Sequence, residues 1–597
     1  MKQLQLLLAL CLLGSGLLTA QSNQRLTYCN PVDINYRYNF EQIPQQISYR
    51  SGADPLITNH KGEYYLFATI SGGYWHSKDL KNWDYITPSR WAFEDNCAPA
   101  AWSFGDTLLL FQSTFVQRPI LYSTKPETGK LEFYNRWLPL LLNEMGPWDP
   151  ALFHDEELDR WFMYFGSSNL YPLYGVELDY NKRLAYKGDP HGLIYLYPNV
   201  HGRERFGPNH TSDITPFTEG AWMTKYNGKY YLQYGAPGTE YNVYANGTYV
   251  GDFPLGPFTY APYNPVSYKP GGFVVGAGHG NTFQDNYGNY WNTGTPWIAV
   301  NWNFERRIAM FPAGFDAAGQ MYSNTRFGDF PQFLPDKKWT DHNDLFTGWM
   351  LLSYNKPATA SSVRDTFIAN RLTDENPRTF WVANTNKAGE TATIDLQKVY
   401  DVKALQINYT DYKSNIYDNN EKAYIQNKFY ASTDNKNWQV IFDNTNVKED
   451  HPNAYIELPQ AVKARYIKYE NGYVPTPNLA VSDIRIFGTG EGKAPVTPTN
   501  LKAQRHTDAR DATITWDAVP GAVGYNILWG IAPDKLYQTY QIWADAETKL
   551  QLRALSVGVD YYYAIEAFNE NGVSKASKAS SLFKEITSLN MGFAKCS

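Results

Sequence analysis
Three acidic side chains stand where chemistry could be done. Asp54 precedes Pro55, Asp149 precedes Pro150, and Glu219 precedes Gly220, each at the entrance to a strand–turn–strand unit. Acids at equivalent points of a repeat can be carried to one axis although they are far apart in sequence. Once together, one can hold a proton to give away while another stays ionised to take one up. Each dipeptide alone is also ordinary turn chemistry. Their recurrence at three equivalent points is what favours a reaction.

The units that would position these acids begin near Ala53, Cys97, Trp148, Glu219 and Gly278. Each reads as a small turn or proline, an apolar strand, a polar turn and a Tyr/Phe-rich strand. The spacing, near 40–50 residues in the first units, suggests propeller blades. The expected fold is all-β: a five-bladed β-propeller over residues 22–345, with a sandwich or longer barrel as the competing arrangement. A second block, 350–488, alternates short strands and reads as an antiparallel β-sandwich. Residues 489–499 are rich in Gly, Pro and Thr and read as a linker. The remainder, 500–597, with Trp516, Tyr525 and Tyr561 on alternating strands, reads as a small immunoglobulin-like sandwich.

The net charge of −6 and the lack of Lys/Arg runs argue against nucleic acid and anionic membranes as partners. Aromatic residues make up 16% of the chain, which fits β structure and also carbohydrate binding. Lys2 followed by the apolar run to Leu18 and Thr19-Ala20 reads as a signal peptide over residues 1–20. A secreted or periplasmic location follows. Leu10 before Cys11 disfavours a lipoprotein anchor, and no later segment could span a bilayer. Cys29, Cys97 and Cys596 form neither a disulfide framework nor a zinc pattern, although a Cys29–Cys97 bridge is permitted after export.

Four stretches carry a resemblance. Ser51–Pro55, His76–Trp83, Trp148–Phe153 and Glu219–Lys225 resemble, in that order, segments of glycoside hydrolase family 43, with Ala221 where that family usually has Pro. The resemblance implies an inverting mechanism with Asp54 as general base, Glu219 as general acid and Asp149 as the anion that tunes and orients the acid. It also makes His279, in Gly278-His279-Gly280, a residue facing the axial channel near calcium or water, although a lone histidine is more often structural and calcium prefers oxygen. Arg306 is a candidate for binding a sugar hydroxyl or supporting the acid, with a surface pair to Glu305 as the alternative. Arg307 would face the other way on a strand. Trp75, Trp102, Trp148 and Trp222 adjoin unit entrances and could wall a sugar subsite, with buried core as the default.

Residues 350–488 resemble discoidin-type (coagulation factor type C) modules, and 500–597 resemble fibronectin type III. The first resemblance suggests a structural calcium at Asp374, against which Glu375 stands where a glycine is usual. No cofactor is required for the chemistry. The substrate would be an oligo- or polysaccharide. The activity expected is exo-acting removal of furanosyl or xylosyl ends, with α-L-arabinofuranosidase ahead of β-D-xylosidase and β-D-galactofuranosidase. An endo-arabinanase and a non-catalytic sugar-binding propeller are the alternatives. The insertion between Tyr171 and Thr218 would close the pocket around chain ends.

Overall fold
The computed structural model describes residues 25–90, 97–111, 113, 118–137, 148–417 and 422–582. The expected signal peptide and Cys596 lie outside them. The described residues form strands and short 3-10 turns, with no α-helix.

Five antiparallel sheets follow one another between Leu56 and Ser323. The first pairs Leu56–His60, Glu63–Phe67, Tyr74–Ser77 and Asp84–Ile86 in chain order. The others open with Ala100–Phe104, Ala151–Asp155, Glu219–Tyr226 and Thr282–Gln284. Tight hairpins separate first and second strands. Lys61-Gly62 and Asn227-Gly228 take positive φ at both positions (54° and 85°, 47° and 74°). That is what a two-residue turn matching the twist of the strands demands.

The opening strands stand side by side in a ring, first against second, second against third, third against fourth, and fifth back against first. The Trp222 indole N–H donates to the Thr282 carbonyl at 2.9 Å and ties the fourth sheet to the fifth. The ring closes through Asn281, which accepts from Ile57 N–H and donates to its carbonyl, both at 2.9 Å. Between sheets lie packed aromatic and aliphatic layers, such as Ile57, Tyr64, Leu66, Trp75, Trp291 and Met310. Each fully buried aliphatic side chain there contributes roughly 1.5–3 kcal/mol.

The second domain is one extended antiparallel assembly around two long strands, Thr391–Tyr409 and Tyr455–Tyr473, with Ala480–Thr489 against the former. It is bolted to the ring by buried charge. Arg50 meets Asp411 at 2.6 Å and Asp450 at 2.7 Å. Arg307 donates to Asn453 at 2.9 Å and to the Arg50 carbonyl at 2.8 Å. Arg485 pairs with Glu375 at 2.9 Å and donates to the Asp329 carbonyl.

The third domain has a sheet of Lys502–Arg505, Ala512–Thr515 and Lys549–Leu552, and another built on Gly524–Gly530, Gln538–Trp543 and Tyr561–Asn569. Its core continues into the ring through Val243, Ala245 and Tyr268. The stretch read as a linker is pinned in part: Gly490 N–H donates to the Glu570 carbonyl and Gly492 N–H to Asn571, both at 3.0 Å. The permitted Cys29–Cys97 bridge is absent. Cys29 is buried and its thiol donates to the Asp329 carbonyl at 3.4 Å.

Candidate active site
The residue entering each opening strand has left-handed backbone: Asp54, Ala98, Asp149, Gly220 and His279, with φ of 53°, 38°, 48°, 63° and 46°. Four of the five are not glycine, so the ring holds strain at this end. The bend turns the side chains of Asp54, Asp149 and His279 inward. At the fourth position the acid is displaced to Glu219, because a Cβ on Gly220 would stand 2.7 Å from the His279 ring. Glu219-Gly220 is therefore a packing solution as well as a turn.

The three acids do converge, and His279 is their centre. Its Nδ1 lies 3.2 Å from Asp54, 3.9 Å from Asp149 and 4.0 Å from Glu219. Asp54 is held by four groups. Thr69 Oγ1 donates to it at 2.5 Å, Arg306 Nη1 stands at 3.4 Å, His279 lies beside it, and its own N–H donates to Thr295 at 3.0 Å. Glu219 accepts from the Tyr244 phenol on one oxygen and from Ser167 at 3.0 Å on the other. Asp149 accepts a long bond from Gly220 N–H at 3.4 Å, and its own N–H donates to Ser113 at 2.9 Å.

These surroundings split the acids. Burial works to raise the pKa of Asp54, yet Arg306, His279 and the Thr69 hydroxyl together hold it below the ordinary range. Burial pushes Asp149 up to about 7; Glu219 and Asp54 add to the rise while His279 opposes it. Burial disfavours charge on His279, but the three carboxylates outweigh it and raise its pKa. With His279 and Arg306 both cationic, three ionised acids leave one negative charge in excess. A proton on Asp149, whose pKa is raised to about 7, removes it.

Asp149, Glu219 and His279 could also be read as a metal donor set. An imidazole nitrogen within 4.0 Å of three carboxylates suits an imidazolium better than Ca²⁺, which takes six to eight oxygens. In the second domain, Asp374 accepts from the Thr379 hydroxyl at 2.6 Å and from Asn376 N–H at 3.2 Å. Glu375 takes the left-handed conformation (φ 56°) where glycine is usual, and its carboxylate is locked onto Arg485. Asp483 is fully buried, and burial together with the Glu375 and Asp374 charges raises its pKa well above the ordinary range although the neighbouring Ser482 hydroxyl opposes the rise. Buried carboxylates this poorly satisfied fit a hard cation.

Several expected sugar contacts are elsewhere. Trp75 is core, 1% exposed, with its indole N–H on the Asn35 carbonyl. Trp102 and Trp222 line a cavity of about 820 Å³ at the opposite end of the ring, where the hairpins lie. Both sit further along their strands than the acids, and the strand direction carries them away from the site. Trp148, partly exposed, stays beside Asp149. Arg306 faces Asp54 while Arg307 turns to the domain seam. The alternative pair of Arg306 with Glu305 does not form, because Glu305 accepts from the N–H groups of Val300 and Asn301.

Tyr244, Thr69, Ser167 and Glu240 were not singled out from sequence. Tyr244 had a faint signal in the glycines it needs: a Cβ on Gly278 would meet its ring at 2.7 Å. Glu240, partly buried, has its pKa raised by burial, and the charges of both Glu219 and Arg306 reach it.

The family model for glycosyl hydrolases family 43 matches residues 44–294, which hold all three acids and His279. The chain carries a family 43 domain. Residues 357–474 match the F5/8 type C domain, so the second sandwich is discoidin-like. A curated relative, a beta-xylosidase of Xylanibacter ruminicola, is 32% identical over 134 residues, covering 19% of this chain and 39% of that one. The chain thus matches well under half of that relative's length. A solved structure described as a glycoside hydrolase is similar to 73% of this chain and 97% of its own, at 17% identity and TM-score 0.44. A xylan beta-1,4-xylosidase from Bacillus halodurans C-125 is similar over 77% and 99%, at 11% identity and TM-score 0.37.

Proposed function
We propose that the protein is an exo-acting, inverting glycoside hydrolase that removes terminal α-L-arabinofuranosyl or β-D-xylosyl groups from polysaccharide. The five sheets are read as the blades of a propeller and the third domain as fibronectin type III-like. The chain would act outside the cytoplasm, after removal of residues 1–20. One observation carries the reading: three carboxylates share one imidazole, and their surroundings hold Asp54 below the ordinary range while Asp149 is raised. A lectin has no use for that division, whereas glycoside hydrolysis requires it.

In the reaction, Glu219 gives its proton to the glycosidic oxygen as the bond to the anomeric carbon breaks. Asp54 takes a proton from the water that attacks the opposite face, so the sugar leaves with inverted configuration. Asp149 accepts from Gly220 N–H and so helps set the adjoining Glu219. Arg306 keeps Asp54 ionised and in place. In the discoidin-like domain, Asp374, Thr379 and Asp483 would hold a structural calcium that fixes their loop.

The reading is tested on para-nitrophenyl α-L-arabinofuranoside, β-D-xyloside and β-D-galactofuranoside, with arabinan and xylan beside them. Turnover of the first or second, with the opposite anomer appearing first by NMR, is expected. Intact substrates throughout would reject the enzyme, and a retained anomer would reject the water-activating role of Asp54.

A further inference from the structure
The geometry points to a distal chain-binding subsite, filled by sugars that a disaccharide lacks and shared by the family 43 and discoidin-like domains. It is built on Trp297, Trp302, Phe304 and Arg378 and shaped for an oligosaccharide chain. It deepens the glycosidase reading and rests on it. The segment from Thr295 to Arg306 leaves and rejoins the site, since Thr295 accepts from Asp54 N–H and Arg306 faces the Asp54 carboxylate. Between them Trp302 and Phe304 stack with centroids 6.1 Å apart and planes at 29°, yet stay 46% and 38% exposed. Large aromatic faces left in water beside a charged cleft mark a contact surface. The Arg306 guanidinium lies 5.6 Å from the Phe304 ring, so the aromatic pair begins where the Asp54 site ends.

At the far end of the segment Trp297 is oriented by its indole N–H, which donates to the Asn303 carbonyl at 3.0 Å. Arg378 of the second domain lies over that ring at 4.4 Å. No hydrogen bond or ion pair engages its guanidinium among the described residues, so its donors remain available. They lie in a plane beside aromatic faces, an arrangement that offers hydrogen bonds to sugar hydroxyls and stacking to sugar C–H faces. Its loop is braced by the Asp374–Thr379 bond and the Glu375–Arg485 pair. Aromatic faces for sugar C–H groups and guanidinium donors for sugar hydroxyls make an oligosaccharide chain the occupant.

The test compares kcat/KM for a disaccharide and a tetrasaccharide of the sugar that is cleaved, in wild type, Trp302→Ala and Arg378→Ala. The tetrasaccharide-to-disaccharide ratio should exceed one in wild type and fall about tenfold in each variant, a loss typical of a buried anchor contact. An unchanged ratio would overturn the subsite, and so would equal losses on both substrates. In parallel, xylotetraose and arabinotetraose are titrated calorimetrically into Glu219→Gln, with and without Trp302→Ala. Binding of one that Trp302→Ala abolishes supports the subsite even if wild type cleaves nothing, an outcome that would sink only the glycosidase reading. Binding of neither, or binding indifferent to Trp302, would sink the subsite.

Discussion
Two buried clusters of charge lie within a few residues of each other and behave differently. At the domain seam, Arg50 sits between Asp411 and Asp450, with further donors from its own N–H and from the Tyr38 hydroxyl to Asp411. Four residues on, Asp54 opens a cluster in which three acids crowd one imidazole and one arginine. Both are desolvated. In the seam Asp411, though buried, is held below the ordinary carboxylate range by Arg50, while burial and the Asp411 charge push Asp450 up to about 6. In the site Asp149 rises to about 7, with Glu219 and Asp54 adding to the effect of burial. In both clusters one carboxylate stays low beside an arginine and a neighbour rises; the seam sets its acids against the partner domain, whereas the site gathers three acids on one imidazole.

The largest effect expected from this contrast is catalytic. Asp54→Asn and Glu219→Gln should each lower kcat/KM by about 10³-fold or more with the fold retained, as circular dichroism would check. Turnover surviving both substitutions would place the working acids elsewhere.

In the seam the expectation reverses. Asp411→Ala leaves Arg50 with Asp450 alone and should cost about 3–5 kcal/mol in urea unfolding, as breaking a buried pair does. A cost below about 1 kcal/mol, the value of a surface pair, would show that the seam is solvated.

A smaller, signed effect separates the two clusters by pH. The folded pKa of Asp149 lies above its unfolded value, so its ionisation removes stability as pH rises from about 4 towards 7, and that loss is absent below. Asp149→Asn should therefore be more stable than wild type at pH 8, with a smaller gap at pH 5, yet less active at both. Asp411 has the opposite sign: its stabilisation is present above the ordinary aspartate pKa and is lost as pH falls through its lowered folded value. A pH-independent gap for Asp149→Asn would mean that the acid is not under strain.

The smallest effect concerns calcium. At saturating Ca²⁺ the wild-type midpoint should rise by the equivalent of about 2–3 kcal/mol, and Asp374→Asn should lose that gain. An equal rise in both would move any ion away from the Asp483 carboxylate.

Local pattern made the all-β character, the repeated units and the three acids legible, because strand periodicity, turn residues and an Asp-Pro at a strand entrance are short-range signals. His279 and Arg306 came from the family 43 resemblance, which did not say that the imidazole would be the hub of the acids. Local pattern failed for Trp75, Trp102 and Trp222. Closeness in sequence to a strand entrance does not say which end of a strand, or which layer, a side chain occupies.

What the chain alone decided was which chemical groups it owns and that they recur in register along similar units. What only the folded molecule decided was their neighbours: Tyr244 and Ser167 on Glu219, Thr69 on Asp54, Arg378 of another domain over Trp297. Those partners are set by ring closure and domain docking between residues tens to hundreds of positions apart, and pKa values follow from such distances, not from sequence order.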